Sequence, residues 1–230
     1  MTTSQKQHCG TQIVAVDGPA GAGKSSVSRQ TARELGFAFL DTGAMYRAAT
    51  WLALTQGVPL DDAEALEAST RAMALELREE ADCLRVFVSG REITDAIRSE
   101  EVTRSIFHLD QIPGVRRHLV SLQREFGCRR PTVAEGRDIG TVVFPQARCK
   151  IYLDADPACR AQRRARQLET MGKLVDFSRL LAEIKERDAH NLNRADSPLR
   201  KADDAIVVDT TFLSFEAVVA ELVRLAQERL

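Results

Sequence analysis

Near the start of the chain, Gly18-Pro19-Ala20-Gly21-Ala22-Gly23-Lys24-Ser25 sets two glycines around a four-residue spacer and follows them with an ammonium and a hydroxyl, with Ser26 behind. Glycines let the backbone curl until successive N–H groups point at one anion, a lysine supplies a point charge, and a hydroxyl suits a hard cation. Those are the parts of a phosphate cradle. The loop would wrap a nucleoside triphosphate such as ATP, Lys24 would meet the β- and γ-phosphates, and Ser25 would hold Mg²⁺. A helix starting at Lys24 would add its positive N-terminal dipole. The complete pattern fixes nucleotide binding and leaves the reaction open.

Two further segments carry guanidinium groups. Asp41-Thr42-Gly43-Ala44-Met45-Tyr46-Arg47 and Glu135-Gly136-Arg137-Asp138-Ile139-Gly140-Thr141 each follow a short apolar run. Arginine outnumbers lysine by 26 to 6. Its planar five-donor fork suits phosphate better than an ammonium does, although codon usage explains the skew equally well. The formal net charge is −1, so any polyanion site must be a local cluster of cations and no global field recruits nucleic acid or an anionic membrane.

The elements that must position these residues read as an α/β chain. Ile13-Val14-Ala15-Val16 is a short β-branched run that stops at the glycine loop and gives way to a helical pattern from Lys24 to Leu35. Phe37 to Leu40, Thr132 to Ala134, Cys149 to Leu153 and Ala205 to Val208 are likewise short, continuous and apolar, which predicts a parallel sheet with helices on both faces. Ser214 caps a closing helix whose Phe215, Val218, Val219 and Leu222 share a face toward the sheet. Residues 61–105 break this rhythm: a helix from Asp61 to Leu75 precedes an alternating stretch, Leu84 to Ile93, with a Ser89-Gly90 turn, the pattern of a small antiparallel hairpin. The expected division is a core of 11–60 and 106–230, with a short lid near 156–173, and an inserted antiparallel β subdomain at 61–105.

An apolar fraction of 44% in 230 residues is enough for a real core. Five scattered cysteines (Cys9, Cys83, Cys128, Cys149, Cys159), odd in number and without a CxxC pair, argue against a disulfide framework or a zinc site and for reduced thiols. The polar start MTTSQKQHCGTQ has no apolar core of a secretory signal, its first ten residues are expected to be mobile, and no run of 18 apolar residues occurs, so a cytoplasmic location is expected. A GTPase would need N-K-x-D after a later strand, and a motor ATPase a hydrophobic strand ending in an acidic pair; neither is present.

Beyond these readings, the chain resembles the bacterial cytidylate kinases from Ile13 to the closing helix. The resemblance rests on DGPAGAGKSS, DTGAMYR at 41–47, GREIT and IRSEEV in the insert, PGVRRHL at 113–119, EGRDIGTVVFP at 135–145, KIYLDA at 150–155 and LLAEIKERDAHNLNR at 180–194. It implies transfer of the γ-phosphoryl group of ATP to CMP, and to dCMP as well. It implies that Arg47, from a segment that also brings Thr42, and Arg137 grip the acceptor phosphate. Asp138 and Arg116 would read cytosine, a carboxylate for the exocyclic amine and a guanidinium for O2 and N3. Arg187, Asn191 and Arg194, spaced i, i+4, i+7, share a helix face that would close over ribose and phosphates. Arg160, Arg163, Arg164 and Arg166 match the family's lid, where cations reach the phosphates of ATP. Two positions depart from the family: Phe107 replaces a serine that touches the base, and Asn191 replaces a carboxylate that meets a ribose hydroxyl.

Simpler roles remain open for these side chains, a turn cap for Asp138, a solvated helix position for Arg116 and surface ion pairs for the others. At the level of function, a kinase for another small acceptor such as UMP, which Phe107 would favour, and a non-catalytic nucleotide-binding regulatory module both stay open. A monomer with small-molecule substrates, and with neither nucleic acid nor membrane as partner, is expected.

Overall fold

The computed structural model describes residues 12–80, 83–170, 172–194 and 196–230. Cys9, residue 11 of the expected core and the polar N-terminal stretch lie outside the described residues. The chain divides into two compact units, one formed by the residues up to Leu40 together with Gly127–Leu230, the other by Asp41–Phe126. The expected insert, 61–105, falls wholly within the second, with 41–60 and 106–126 beside it.

In the first unit, β1 (Ile13–Asp17), β2 (Ala38–Asp41), β6 (Thr132–Glu135), β7 (Cys149–Asp154) and β8 (Ile206–Asp209) form one sheet in the order β2-β6-β1-β7-β8. β1 lies centrally and runs parallel to both neighbours, Val14 aligning with Val133 on one side and with Cys149 on the other. All five residues of β1 are buried, which is why the run is continuously apolar instead of alternating. Helix α1 (Lys24–Leu35) and α8 (Phe215–Arg229) pack on each other and on the sheet, and α6 (Pro157–Thr170) packs against α7 (Phe177–Asn193). The core joins Val14, Val16, Val133, Ile151 and Leu153 to Val27, Ala32, Val218, Leu222 and Leu225. Ser214 caps α8 as expected, its hydroxyl accepting from the Ala217 amide at 3.2 Å. Phe215 does not join the buried face: it stands nearly half exposed in the first turn while Val218, Val219 and Leu222 go inside.

The second unit carries α2 (Thr42–Thr55), α3 (Ala63–Ala72), α4 (Glu100–Asp110), most of α5 (Pro113–Arg129) and a small antiparallel sheet, β3 (Leu75–Glu79), β4 (Leu84–Val88) and β5 (Arg91–Glu92). The expected hairpin is β4–β5, turning at Ser89 (φ 49°) and Gly90 (φ 78°). β3 was hidden in the sequence, because Leu75-Glu-Leu-Arg-Glu is as compatible with a helix end as with a half-exposed strand. The predicted helix therefore stops at Ala72 and the strand starts at Leu75. Leu66, Val86, Val88, Ile97, Val102 and Leu109 fill this unit's core.

Among the described residues no helix is long and apolar enough to cross a membrane. Cys83, Cys149 and Cys159 are free thiols, but Cys128 is disulfide-bonded, so the expectation of reduced thiols throughout fails there. An odd count without CxxC speaks against a framework; it does not forbid one isolated pair.

Candidate functional site

The phosphate cradle is built where β1 meets α1. Gly18 adopts φ +148°, and a Cβ there would lie 2.0 Å from the Leu153 carbonyl oxygen, so no larger residue fits between β1 and β7. Gly23, at φ 86°, precedes α1 without a side-chain cap, which leaves the first-turn amides of the helix to an anion. The Lys24 ammonium is 5% exposed and donates to the Pro19 carbonyl at 2.7 Å, so lysine and loop already hold each other. Burial pushes this ammonium down to about 7; Arg137 adds to the fall, Glu135 and Asp17 oppose it, and Arg187 adds to it again. A cation kept this reluctant to stay charged gains most from a polyphosphate, which restores its favoured partner.

Sequence reasoning missed Glu135. It ends β6, the strand beside β1, and its carboxylate accepts a hydrogen bond from the Ser25 hydroxyl. A lone glutamate closing a four-residue strand is not an acidic pair, and the EGR segment itself was its signal. A hydroxyl and a carboxylate, both hard oxygen donors, meeting at the end of the loop fit a magnesium ion that takes its other ligands from water and phosphate. Neither a group of three acidic, His or Cys ligands nor any other such cluster occurs among the described residues, and a magnesium site of this kind needs none.

After Glu135 the chain leaves the sheet. Val143 and Phe144 donate to the Asp138 and Ile139 carbonyls at 3.0 and 2.7 Å, an i+5 turn over Ile139–Val143. Arg137 opens this segment; its Nη1 donates to the Gly136 carbonyl at 3.2 Å, while its Nε is buried with no hydrogen-bond partner among the described residues. Asp138 beside it is buried.

The basic helix α6 places its arginines unequally. Arg160 is 3% exposed, and its guanidinium donates to the Ala155 carbonyl (2.9 Å), the Ala20 carbonyl of the phosphate loop (2.8 Å) and Asp188 (2.6 Å). Those bonds use one N–H from each of its three nitrogens and leave a second N–H on Nη1 and on Nη2. Arg163 donates to the hydroxyl of Thr210 at 2.9 Å and to its carbonyl, and Arg164 donates to Gln167 at the surface. A groove of about 400 Å³ runs between this helix and residues 211–214, with Arg163, Arg166 and the fully exposed ring of Phe212 on its walls.

On α7, Asn191 is buried and its main-chain carbonyl accepts from the Leu199 amide at 2.8 Å. Arg194, just past the helix, donates from Nε to the Asp196 carbonyl at 2.8 Å and is also tied to Ser197. Arg187 is half-buried on the same helix.

In the second unit, Asp41 caps α2, its carboxylate accepting from the Ala44 amide at 2.8 Å, which fixes buried Thr42 in the first turn and Arg47 one turn on. Arg47 donates to the Thr103 hydroxyl at 3.1 Å. Arg116 is buried, donates to the Asp110 carbonyl at 3.1 Å and lies 5.6 Å above the Tyr46 ring. The solvated reading of Arg116 is thereby excluded. Phe107, by contrast, is an exposed ring on α4 tilted against His108.

Comparison with known proteins agrees with the geometry. The family model for cytidylate kinase matches residues 14–228. The chain is 45% identical over 219 residues to a cytidylate kinase of Solibacter usitatus, covering 94% of this chain and 93% of that one. It is 46% identical over 218 residues to a cytidylate kinase of Mycobacterium leprae, covering 94% and 96%. A bifunctional pantoate ligase/cytidylate kinase of a Synechococcus strain is 48% identical over 221 residues, which is 95% of this chain and 41% of that protein. The chain thus spans about two fifths of the bifunctional relatives it matches. Cradle, turn and match over nearly the whole sequence lead to one statement: the chain belongs to the cytidylate kinase family.

Proposed function

We propose that this chain transfers the γ-phosphoryl group of ATP to CMP, and to dCMP as well, giving ADP and CDP or dCDP. The observation that carries the reading is electrostatic: the Arg137 guanidinium of the EGRD segment lies close enough to the Lys24 ammonium of the phosphate loop to help push that ammonium down. Two cations that repel at rest are stabilised together only by anions, and a donor and an acceptor phosphate are two such anions.

In this reading the amides of Gly18 to Ser26 and Lys24 hold the β- and γ-phosphates, and Arg163 and Arg164 reach the phosphates of ATP from α6. Ser25 and Glu135 would hold Mg²⁺, directly or through water; when bound, that ion supplies charge neutralisation between the phosphate oxygens. Arg137 and Arg47 grip the acceptor phosphate, with Thr42, Arg187, Asn191 and Arg194 on the sugar and phosphate. Asp138 and Arg116 read the base, residues near 156–173 act as the lid, and 61–105 serves as an acceptor-side subdomain. The groove beside Phe212 would take the donor base, since an exposed ring offers a stacking face to any purine.

The acceptor nucleophile is a phosphate oxygen, already largely ionised at neutral pH, so no side chain is assigned as general base. Catalysis is positioning and charge neutralisation. Uracil would present a carbonyl to the Asp138 carboxylate, and an acceptor facing an acceptor in a buried site costs about 1–3 kcal/mol, which makes CMP the preferred substrate by about tenfold or more. A coupled assay of ADP release against CMP, dCMP, UMP and AMP tests this, with wild type and Asp138→Ala side by side. CMP and dCMP are expected to lead, and Asp138→Ala is expected to narrow the CMP/UMP ratio of kcat/KM. A ratio unchanged by the substitution rejects the base-reading role, and ADP release independent of any acceptor would favour the regulatory module.

A further inference from the structure

Asp17 stands immediately before the phosphate loop and supports the Lys24 charge through space, but no hydrogen bond of the cradle and no acceptor contact above uses it. Its carboxylate is 5% exposed, and its oxygens take one amide each: Oδ1 accepts from Ile139 and Oδ2 from Gly140, both at 2.8 Å. Those are the two amides directly after Arg137 and Asp138. We propose that Asp17 is a positioning residue that clamps the 139–140 backbone and thereby sets where Arg137 and Asp138 stand relative to the phosphate loop, making it a determinant of acceptor choice. The proposal rests on the roles assigned above to Arg137 and Asp138.

The clamp is unequal in stiffness. Asp17 ends β1, in register with Tyr152 of β7 and flanked by β6 on the other side, so its own main chain is held by the middle of the sheet. Residues 139–143 lie outside the sheet in an i+5 turn, a conformation that survives only where its surroundings impose it. Glycine at 140 permits the approach: a Cβ there would lie 3.1 Å from Cδ of Lys150 and 3.4 Å from Oδ2 of Asp17. Lys150 is itself tied to the Pro145 carbonyl (2.8 Å) and to Asp204 (2.9 Å), so the turn is braced from both sides. If the clamp is weakened, the turn moves and the strand does not.

The residue type follows from the geometry. Two adjacent N–H groups converge on one side chain, and only a carboxylate presents two oxygens that both accept. An asparagine would turn an NH₂ toward one of the amides, replacing an acceptor with a donor against a donor. Burial pushes the Asp17 carboxyl up to about 6, the amides of Gly140 and Ile139 oppose the rise, Asp138 adds to it and Lys24 opposes it. At neutral pH the clamp is therefore ionised.

The test compares wild type, Asp17→Asn and Asp138→Ala for kcat/KM with CMP and with UMP, and for the KM of ATP. The discrimination ratio is measured on one sample for both acceptors, so a loss of folded protein cancels out of it. Asp17→Asn is expected to narrow the CMP/UMP ratio by about tenfold, over and above any change in the KM of ATP from losing the carboxylate that supports the Lys24 charge, because that change is common to both acceptors. An unchanged ratio overturns the proposal. So does an equal loss for both acceptors accompanied by a raised KM for ATP, which would make Asp17 a support of the phosphate loop alone. The Asp138→Ala arm separates the two claims: an unchanged ratio there rejects the assigned role of Asp138, whereas a narrowed ratio there with an unchanged one in Asp17→Asn rejects only the clamp.

Discussion

Glu135 illustrates how a single side chain changes the reading of a site. Its hydrogen bond with the Ser25 hydroxyl puts one carboxylate against the residue assigned to Mg²⁺, at the end of the strand next to the loop strand. A bound cation would replace that hydrogen bond with one carboxylate and one neutral hydroxyl contact, directly or through water. Glu135→Gln keeps the shape and removes the charge. It is expected to raise the Mg²⁺ concentration giving half-maximal rate by about tenfold, the equivalent of one charge-assisted contact, with the KM of CMP little changed. A Mg²⁺ titration of the initial rate at fixed ATP and CMP checks this, and an unaltered half-maximal concentration rejects the role.

At the scale of elements, local rules explain starts and stops while long-range contacts explain placement. Asp41, Ser99, Asp176 and Ser214 each cap a helix through the side chain, and these residue types are what sequence reading looks for. The connection of α6 to α7 and to the phosphate loop is of the other kind. Arg160 spans 28 positions to Asp188 and 140 to Ala20, so nothing in the local pattern separates it from its exposed neighbour Arg164. Asp188→Asn removes the charge opposite a guanidinium that stays buried. It is expected to lower unfolding stability by about 2–3 kcal/mol, with Arg164→Gln near neutral. Urea unfolding midpoints of the two variants measure the difference; equal midpoints would mean that Arg160 is satisfied by the two carbonyls alone.

For the whole molecule, two buried titrating groups shape stability against pH in opposite directions. Asp17 is raised from 3.8 to about 6, so between these values the folded chain holds the extra proton, and its contribution falls as pH rises through that window. Lys24 is lowered from 10.5 to about 7, so between these values the unfolded chain holds the extra proton, and its contribution rises with pH. Between about 6 and 7 both groups are charged and buried in the nucleotide-free fold. The stability gained between the acid and alkaline ends of the Lys24 window is expected to shrink in Lys24→Met, which keeps the bulk and cannot titrate. Unfolding midpoints of wild type and variant near both ends of that window measure it, and the same gain in both would mean that Lys24 does not carry the shift.

The sequence by itself determined the cradle, the parallel α/β plan, the starts of the first and last helices, the small hairpin and the family, because each depends on residue type at short spacing: glycines around a lysine, unbroken apolar runs, a hydroxyl ahead of a helix. Only the tertiary structure decided that Asp17 spends its charge on two amides 122 and 123 positions away, that Glu135 meets Ser25, that Arg160 is anchored inside while Arg164 stays outside, and that 75–79 pairs as a strand. Those outcomes turn on which groups burial brings within hydrogen-bond reach. A carboxylate or guanidinium looks the same in a sequence whether solvent or a buried amide will satisfy it, and the free energy that distinguishes the two arises only when the chain closes around it.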